Sequence, residues 1–180
     1  FSQEDIEDYF RLNEIILDKE TSKDIFNKTL GWPYVVHLYM EAYKNKHTDA
    51  DKTVLDKAYT FIENNVWLEL SDDERQFLAT MSVFSSFNLN QCMKQTFLEE
   101  KMCLKLLNSI PLINYDEHTR RYSFNPMFDG FILQVLDEMP VDEVTKITLR
   151  AADTNLDDGN YFEAMKLYSH SKEYRKIYQH

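Results

Sequence analysis

Apolar residues recur along this chain three and four positions apart, the spacing that lines them up on one face of an α-helix. Ile6, Tyr9 and Phe10 make the first such group, and Ser2 with Asp5 three residues later forms a capping box ahead of it. A second helix is expected from about Asp18, with Ile25, Phe26 and Leu30 on one side. It should stop at Gly31, because glycine tolerates the left-handed backbone that ends helices. Pro33 suits the first turn of the next helix, where a missing N–H has no partner to lose. That helix carries Val36, Met40 and Tyr43 on one face. Residues 53–70 read as a long amphipathic helix through Leu55, Ala58, Tyr59, Ile62 and Val66.

Ser71 and Glu74 form a second capping box, opening a helix with Phe77, Leu78 and Met81, and two more helices are expected over roughly 88–97 and 98–109. Then the period changes. Leu112-Ile113-Asn114-Tyr115 and Arg121-Tyr122-Ser123-Phe124 are short β-capable runs joined by residues 116–120, which reads as a hairpin. Three helices followed by a β-hairpin is the element order of a winged helix. Asn125 and Pro126 then cap and start another helix through Phe128, Phe131, Ile132 and Val135. In the last 40 residues Ala151, Ala152, Gly159, Ala164 and Leu167 suggest two helices packed closely through small residues, one tetratricopeptide-like hairpin. The expected fold is therefore mainly α. It divides into a helical segment over 1–50, a connecting helix over 51–70, a winged helix over 71–139 and the start of a helical superhelix over 140–180.

Composition narrows the class. Three Gly and four Pro in 180 residues leave few tight turns for a sandwich or barrel, while 43% hydrophobic residues suffice for a core. No apolar run approaches the roughly 18 residues of a membrane span and no signal peptide opens the chain, so a cytoplasmic setting is expected. The chain opens on Phe1 in mid-element, which reads as an internal piece of a longer protein. Thirty-one acidic against 20 basic residues give a net charge of −11, the wrong sign for a phosphate-binding surface. Cys92 and Cys103 lack any partner pattern for a metal and read as buried free thiols.

Catalytic chemistry finds no support. There is no Gly-rich phosphate loop, no H-E-x-x-H and no nucleophile elbow. His37, His47, His118, His170 and His180 are scattered without ligand spacing, so no metal is expected, and Asp72-Asp73 and Asp157-Asp158 read as helix-end or turn residues. A DNA-reading winged helix would place basic side chains on its third helix. Here Lys101 and Lys105 stand against Glu99 and Glu100, and Arg120 and Arg121 against Asp116 and Glu117, so packing is the expected use and nucleic acid is not an expected partner.

The sharpest local signal is Thr29-Leu30-Gly31-Trp32-Pro33, a helix stop, an aromatic and a rigid helix start. Together with residues 1–10, Leu106-Leu107 before the hairpin, and residues 121–128 after it, this order resembles the central region of MalT-type regulators. These are large LuxR-type bacterial transcription factors of the STAND class of signal-transduction ATPases. The resemblance implies an upstream P-loop ATPase core that binds ATP or ADP, a helical lid carrying the Gly-Trp-Pro turn, the winged helix, an inducer sensor and a C-terminal DNA reader. The chain would then hold the lid, winged helix and first sensor hairpin, contain no cofactor of its own, and act as a coupling segment and not as an enzyme. By the same resemblance Gly31, Trp32 and Pro33 would pack against the adenine. Asn125 falls where the family commonly has His and would reach the β-phosphate of ADP, with the alternative that it only caps the following helix. The competing reading is a helical protein-interaction scaffold without nucleotide coupling.

Overall fold

A computed structural model describes residues 1–46 and 49–171; His47, His180 and the end of the expected superhelix segment lie outside the described residues. The described chain is mainly helical with one small antiparallel strand pair. In order it runs α1 (Gln3–Leu12), α2 (Lys19–Thr29), α3 (Pro33–Lys44), α4 (Ala50–Asn65), a 3₁₀ turn (Trp67–Glu69), α5 (Asp72–Met81), α6 (Leu89–Thr96) and α7 (Glu100–Ser109). Strands β1 (Ile113–Asp116) and β2 (Arg121–Phe124) follow, then α8 (Pro126–Glu138), α9 (Val141–Asp157) and α10 (Tyr161–His170). No helix among the described residues is long and apolar enough to cross a membrane.

Helix starts follow local chemistry. Ser2 and Asp5 exchange their bonds as a capping box, as do Ser71 and Glu74; a third box, Asn88 with Gln91, opens α6. The stops differ from expectation in detail. Helix α2 ends at Thr29, and Leu30 itself takes the left-handed conformation (φ 47°) before Gly31 repeats it (φ 71°). Expected as one helix to residue 70, the next segment is α4 to Asn65 and then the 3₁₀ turn. Its break lies at Val66, whose ψ of −64° comes with a φ of −124°. The face that α4 buries is set by Val54, Ala58 and Ile62, spaced by four, while Leu55 is only half-buried.

The chain divides into two compact units, Phe1–Glu69 with Asn125–Phe131, and Leu70–Phe124 with Ile132 onward. The first unit buries Ile6, Phe10, Ile25, Val36, Ala58, Ile62 and Phe128. Fully burying one such side chain is worth about 2 kcal/mol, so this cluster, and not helix propensity, holds the short helices together. Residues 125–131 join it through rings: Phe131 meets Tyr59 at 6.0 Å and Trp67 at 5.8 Å, both edge-on.

In the second unit β1 and β2 pair in the register Ile113↔Phe124 to Asp116↔Arg121. Phe87 adds a one-residue bridge on the other side of β2, exchanging backbone bonds with Tyr122 at 2.9 and 2.7 Å. Tyr122 is thus sandwiched between the rings of Phe87 (5.9 Å) and Tyr115 (4.7 Å). Cys92 on α6 and Cys103 on α7 are both fully buried and free, eleven residues apart in sequence and side by side in the core. Burial pushes the Cys92 thiol far up, reinforced by its neighbour Cys103. Helices α9 and α10 pack as a hairpin through Ala151, Ala152 and Ala164, all essentially inaccessible. Gly159 has a different role from the expected close-packing one: it sits exposed in the turn at φ 76°, with nothing near the place a Cβ would take.

Candidate nucleotide site

Thr29 organises the turn between α2 and α3. Fully buried, it donates its hydroxyl to Ile25 O (2.8 Å) and accepts from Gly31 N (3.1 Å), so one side chain closes the old helix and fixes the next peptide. Its carbonyl accepts from Trp32 N at 3.1 Å. Gly31 is buried, and its carbonyl accepts from the backbone nitrogen of Phe1 at 2.8 Å. A Cβ at Gly31 would collide with the Phe1 carbonyl, so both the positive φ and the close approach require glycine.

Trp32 sits at the N-cap of α3 in an extended conformation without a side-chain cap, and Pro33 occupies the first helical position. The indole is half-buried against Phe61 (5.8 Å) and Tyr34 (6.0 Å), and those two rings stack at 4.2 Å. Pro33 is exposed, leaving its ring free to meet a flat partner.

Asn125, 96 residues later than Thr29, comes to the same turn. It is 5% exposed, its Nδ2 donates to Thr29 O at 3.1 Å, and its Oδ1 accepts from Met127 N at 3.1 Å. The second bond is the cap of α8, as one of the two sequence readings had it. The first is new: Thr29 O now serves both Trp32 and Asn125. A primary amide carries two N–H donors, and the second has no partner among the described residues. The four expected site residues thus fall in one unit, with Asn125 hydrogen-bonded to Thr29, the residue that organises the Gly31-Trp32-Pro33 turn.

The charges beside the turn are already matched. Lys28 pairs with Asp24 at 2.7 Å and Asp51 at 2.8 Å, and Tyr39 donates its hydroxyl to Asp51 at 2.8 Å. The Lys28 bond holds the Asp51 carboxyl below its usual range, while burial, then Asp51, pushes the Tyr39 hydroxyl well up. Lys28 is therefore committed to carboxylates and offers little to a phosphate. Among the described residues no three His, Cys, Asp or Glu side chains are grouped to hold a metal ion. His37 accepts from or donates to Tyr9 Oη at 2.8 Å.

Sequence reasoning missed Thr29 as the organiser, although a threonine two residues before a left-handed glycine is the pattern that lets a hydroxyl accept from that glycine's N–H. It also missed Phe61, which no local pattern connects to Trp32. No family model matches the sequence, and neither does any curated protein.

Proposed function

We propose that this chain is the coupling segment of a larger nucleotide-dependent bacterial transcription regulator of the MalT type. In this reading residues 1–50 form the lid of an ATPase core, 51–70 the connecting helix, 71–139 a winged helix and 140–180 the start of a tetratricopeptide-like sensor. The carrying observation is the bond from Asn125 Nδ2 to Thr29 O, which ties the start of α8 to the turn that would receive the adenine. ADP would lie against Pro33 with Asn125 near its β-phosphate, holding a closed state; inducer at the sensor would favour an open state that takes ATP and self-associates. A differential of a few kcal/mol between the two states is enough for such a switch.

Further support comes from α5, α6 and α7 followed by the β1–β2 hairpin, with the Phe87 bridge acting as the short third strand that a winged helix carries. The exposed outer positions of α7, Glu100, Lys101 and Lys105, are mixed in charge, which fits packing better than a DNA groove. The winged helix would therefore transmit, with the DNA reader elsewhere in the intact protein.

Asn125 is where the reading is tested. An amide donates a hydrogen bond without charge, so replacing it with His should strengthen the hold on ADP. In the intact regulator Asn125→His is expected to lower activity without inducer and to raise the ADP retained through purification. Unchanged activity together with unchanged ADP content would sink the nucleotide role. The scaffold reading draws on Tyr161 and Phe162, 61% and 78% exposed on α10, as a face for a partner protein. An intact protein that retains no nucleotide at all would favour it.

A further inference from the structure

Arg121, at the start of β2, carries a charge that no ion pair among the described residues balances. Its Nε donates to Ser86 Oγ at 2.8 Å, and its Nη2 donates to the Ser86 carbonyl and to Gln91 Oε1 at 3.1 Å. These acceptors are neutral, and among the described residues Arg121 makes no ion pair. Its opposite number in the ladder, Asp116, spends its carboxylate on the hairpin turn, accepting from His118 N and Thr119 Oγ1. The guanidinium is half-buried, so it has lost part of its water without gaining a counter-charge.

The support behind it is rigid. Gln91 is fully buried, accepts from Asn88 N at 3.0 Å as the α6 capping box, and donates to Asn155 Oδ1 at 3.4 Å. Asn155, 4% exposed, is fixed in turn by its bond to Ala151 O at 3.0 Å. One network of buried amides thus runs from β2 through α6 to α9 and aims the guanidinium fork, leaving Nη1 with no partner among the described residues.

Arg121 also lies on the lining of a cleft of about 250 Å³. Across that lining stands Glu163, from the first turn of α10, whose closest cation is Lys166 at a loose 3.8 Å. Ser85 contributes a hydroxyl with no partner among the described residues, and Asn160 an amide whose one bond, to Asn155, is long at 3.5 Å. The edges of the largely buried Phe84 and Leu167 supply the apolar part of a mainly polar lining. A cation, a carboxylate, two uncommitted donors and an apolar side in so small a volume suit one ligand chemistry.

We propose that this cleft binds a small zwitterion of the α-amino-acid class, its carboxylate on the free Nη1 of Arg121 and its ammonium on Glu163, with an apolar side chain against Phe84 and Leu167. An Arg–carboxylate hydrogen bond is charge-assisted, and Glu163 across the lining sets the orientation. Glu163 acts as the discriminator, since it repels a phosphate or a second carboxylate. Because the cleft is bounded by the hairpin, the loop before α6 and the α9–α10 turn, occupancy would brace these elements against one another. This site does not depend on the nucleotide reading, and its test does not involve nucleotide.

Calorimetric titration of the 180-residue chain with glycine, L-alanine, L-leucine, 4-methylpentanoate, succinate and inorganic phosphate decides it. L-Leucine is expected to bind most tightly, ahead of 4-methylpentanoate, which lacks only the ammonium. Arg121→Gln is expected to weaken L-leucine at least tenfold, which is about 1.4 kcal/mol. Glu163→Gln is expected to erase the preference for L-leucine over 4-methylpentanoate while keeping carboxylate binding. Ser85→Ala, an exposed hydroxyl with no bond to lose, should weaken binding a few-fold with the free protein's Tm unchanged. The proposal is overturned if no amino acid binds, if phosphate or succinate matches L-leucine, or if Arg121→Gln binds as the parent does. Should Arg121→Gln fail to fold, a Glu163→Gln protein that keeps its full preference for L-leucine overturns it equally.

Discussion

Gly31 is the position where the fewest alternatives are open. Its φ of 71° is a region that costs an L-residue about 1–2 kcal/mol, and the Phe1 backbone occupies the space a Cβ needs. Gly31→Ala is therefore expected to lower unfolding stability by about 2 kcal/mol in urea titration, with secondary structure retained. A change within about 0.5 kcal/mol would mean that Phe1 is held there by nothing that matters. Leu30 carries the left-handed penalty one residue earlier, a penalty that Gly31, lacking a Cβ, does not share. Here the sequence was only partly legible. The Gly-Trp-Pro punctuation announced a helix stop and restart, yet it could not say that Leu30 would leave the helix first. That choice belongs to Thr29, whose hydroxyl accepts from Gly31 N only once Leu30 has turned. Nor could it say that Asn125 would use its amide on Thr29 O, because the pair is 96 residues apart and no periodicity links them.

Helix α8 shows how an element balances opposed local effects. Asp129 lies in its first turn, where an acid favours the helix dipole, yet burial pushes its carboxyl above the usual value; burial, then the Asp129 charge, raises the Tyr59 hydroxyl as well. Desolvation wins. An unfolded Asp titrates near 4, so between that value and the higher folded one the folded chain holds more protons. Stability at this site therefore falls as pH rises through the folded value and stays lower at neutral pH. Asp129→Asn is expected to have a higher urea midpoint than the parent at pH 7, with the gap closing as pH is lowered toward 4 (urea titrations at both pH values). A gap constant with pH would mean that burial does not shift this carboxyl, and a reversed gap that the dipole outweighs the burial. Elements of this kind were the most legible part of the fold: the apolar spacing and the Ser2–Asp5 and Ser71–Glu74 boxes located helices to within a few residues. What escaped was lateral. The Phe87 bridge to Tyr122 and the Gln91 link to Asn155 join residues whose local sequence looks like loop and solvated helix.

For the whole chain, the governing quantity is charge. A net −11, with Lys28 and Lys94 held by carboxylates, leaves little to release counterions from a phosphate backbone. The 180-residue chain is expected to leave duplex DNA unshifted in gels at about 150 mM salt. A shift that weakens steeply with added salt would restore the DNA-reading role that the mixed charge of α7 argues against. The site residues illustrate the limit of reading from pattern alone. Their types and order suggested nucleotide chemistry by resemblance, while the physical property that sets their behaviour, who already holds whom, exists only in three dimensions.

The discontinuity of the first unit bears on how the molecule is made. Its core is assembled from Phe1–Glu69 and Asn125–Phe131, so Phe128 and Phe131 arrive only after the whole of residues 70–124. On a ribosome, where domains ordinarily fold in the order they emerge, the first 69 residues must wait with part of their apolar surface uncovered. Closing so long a stretch adds little free energy beyond what a shorter one would, since the entropic penalty grows only logarithmically. The penalty is instead one of time: pairing across that separation is slow, and a nascent chain paused before Asn125 exposes the surface that chaperones recognise.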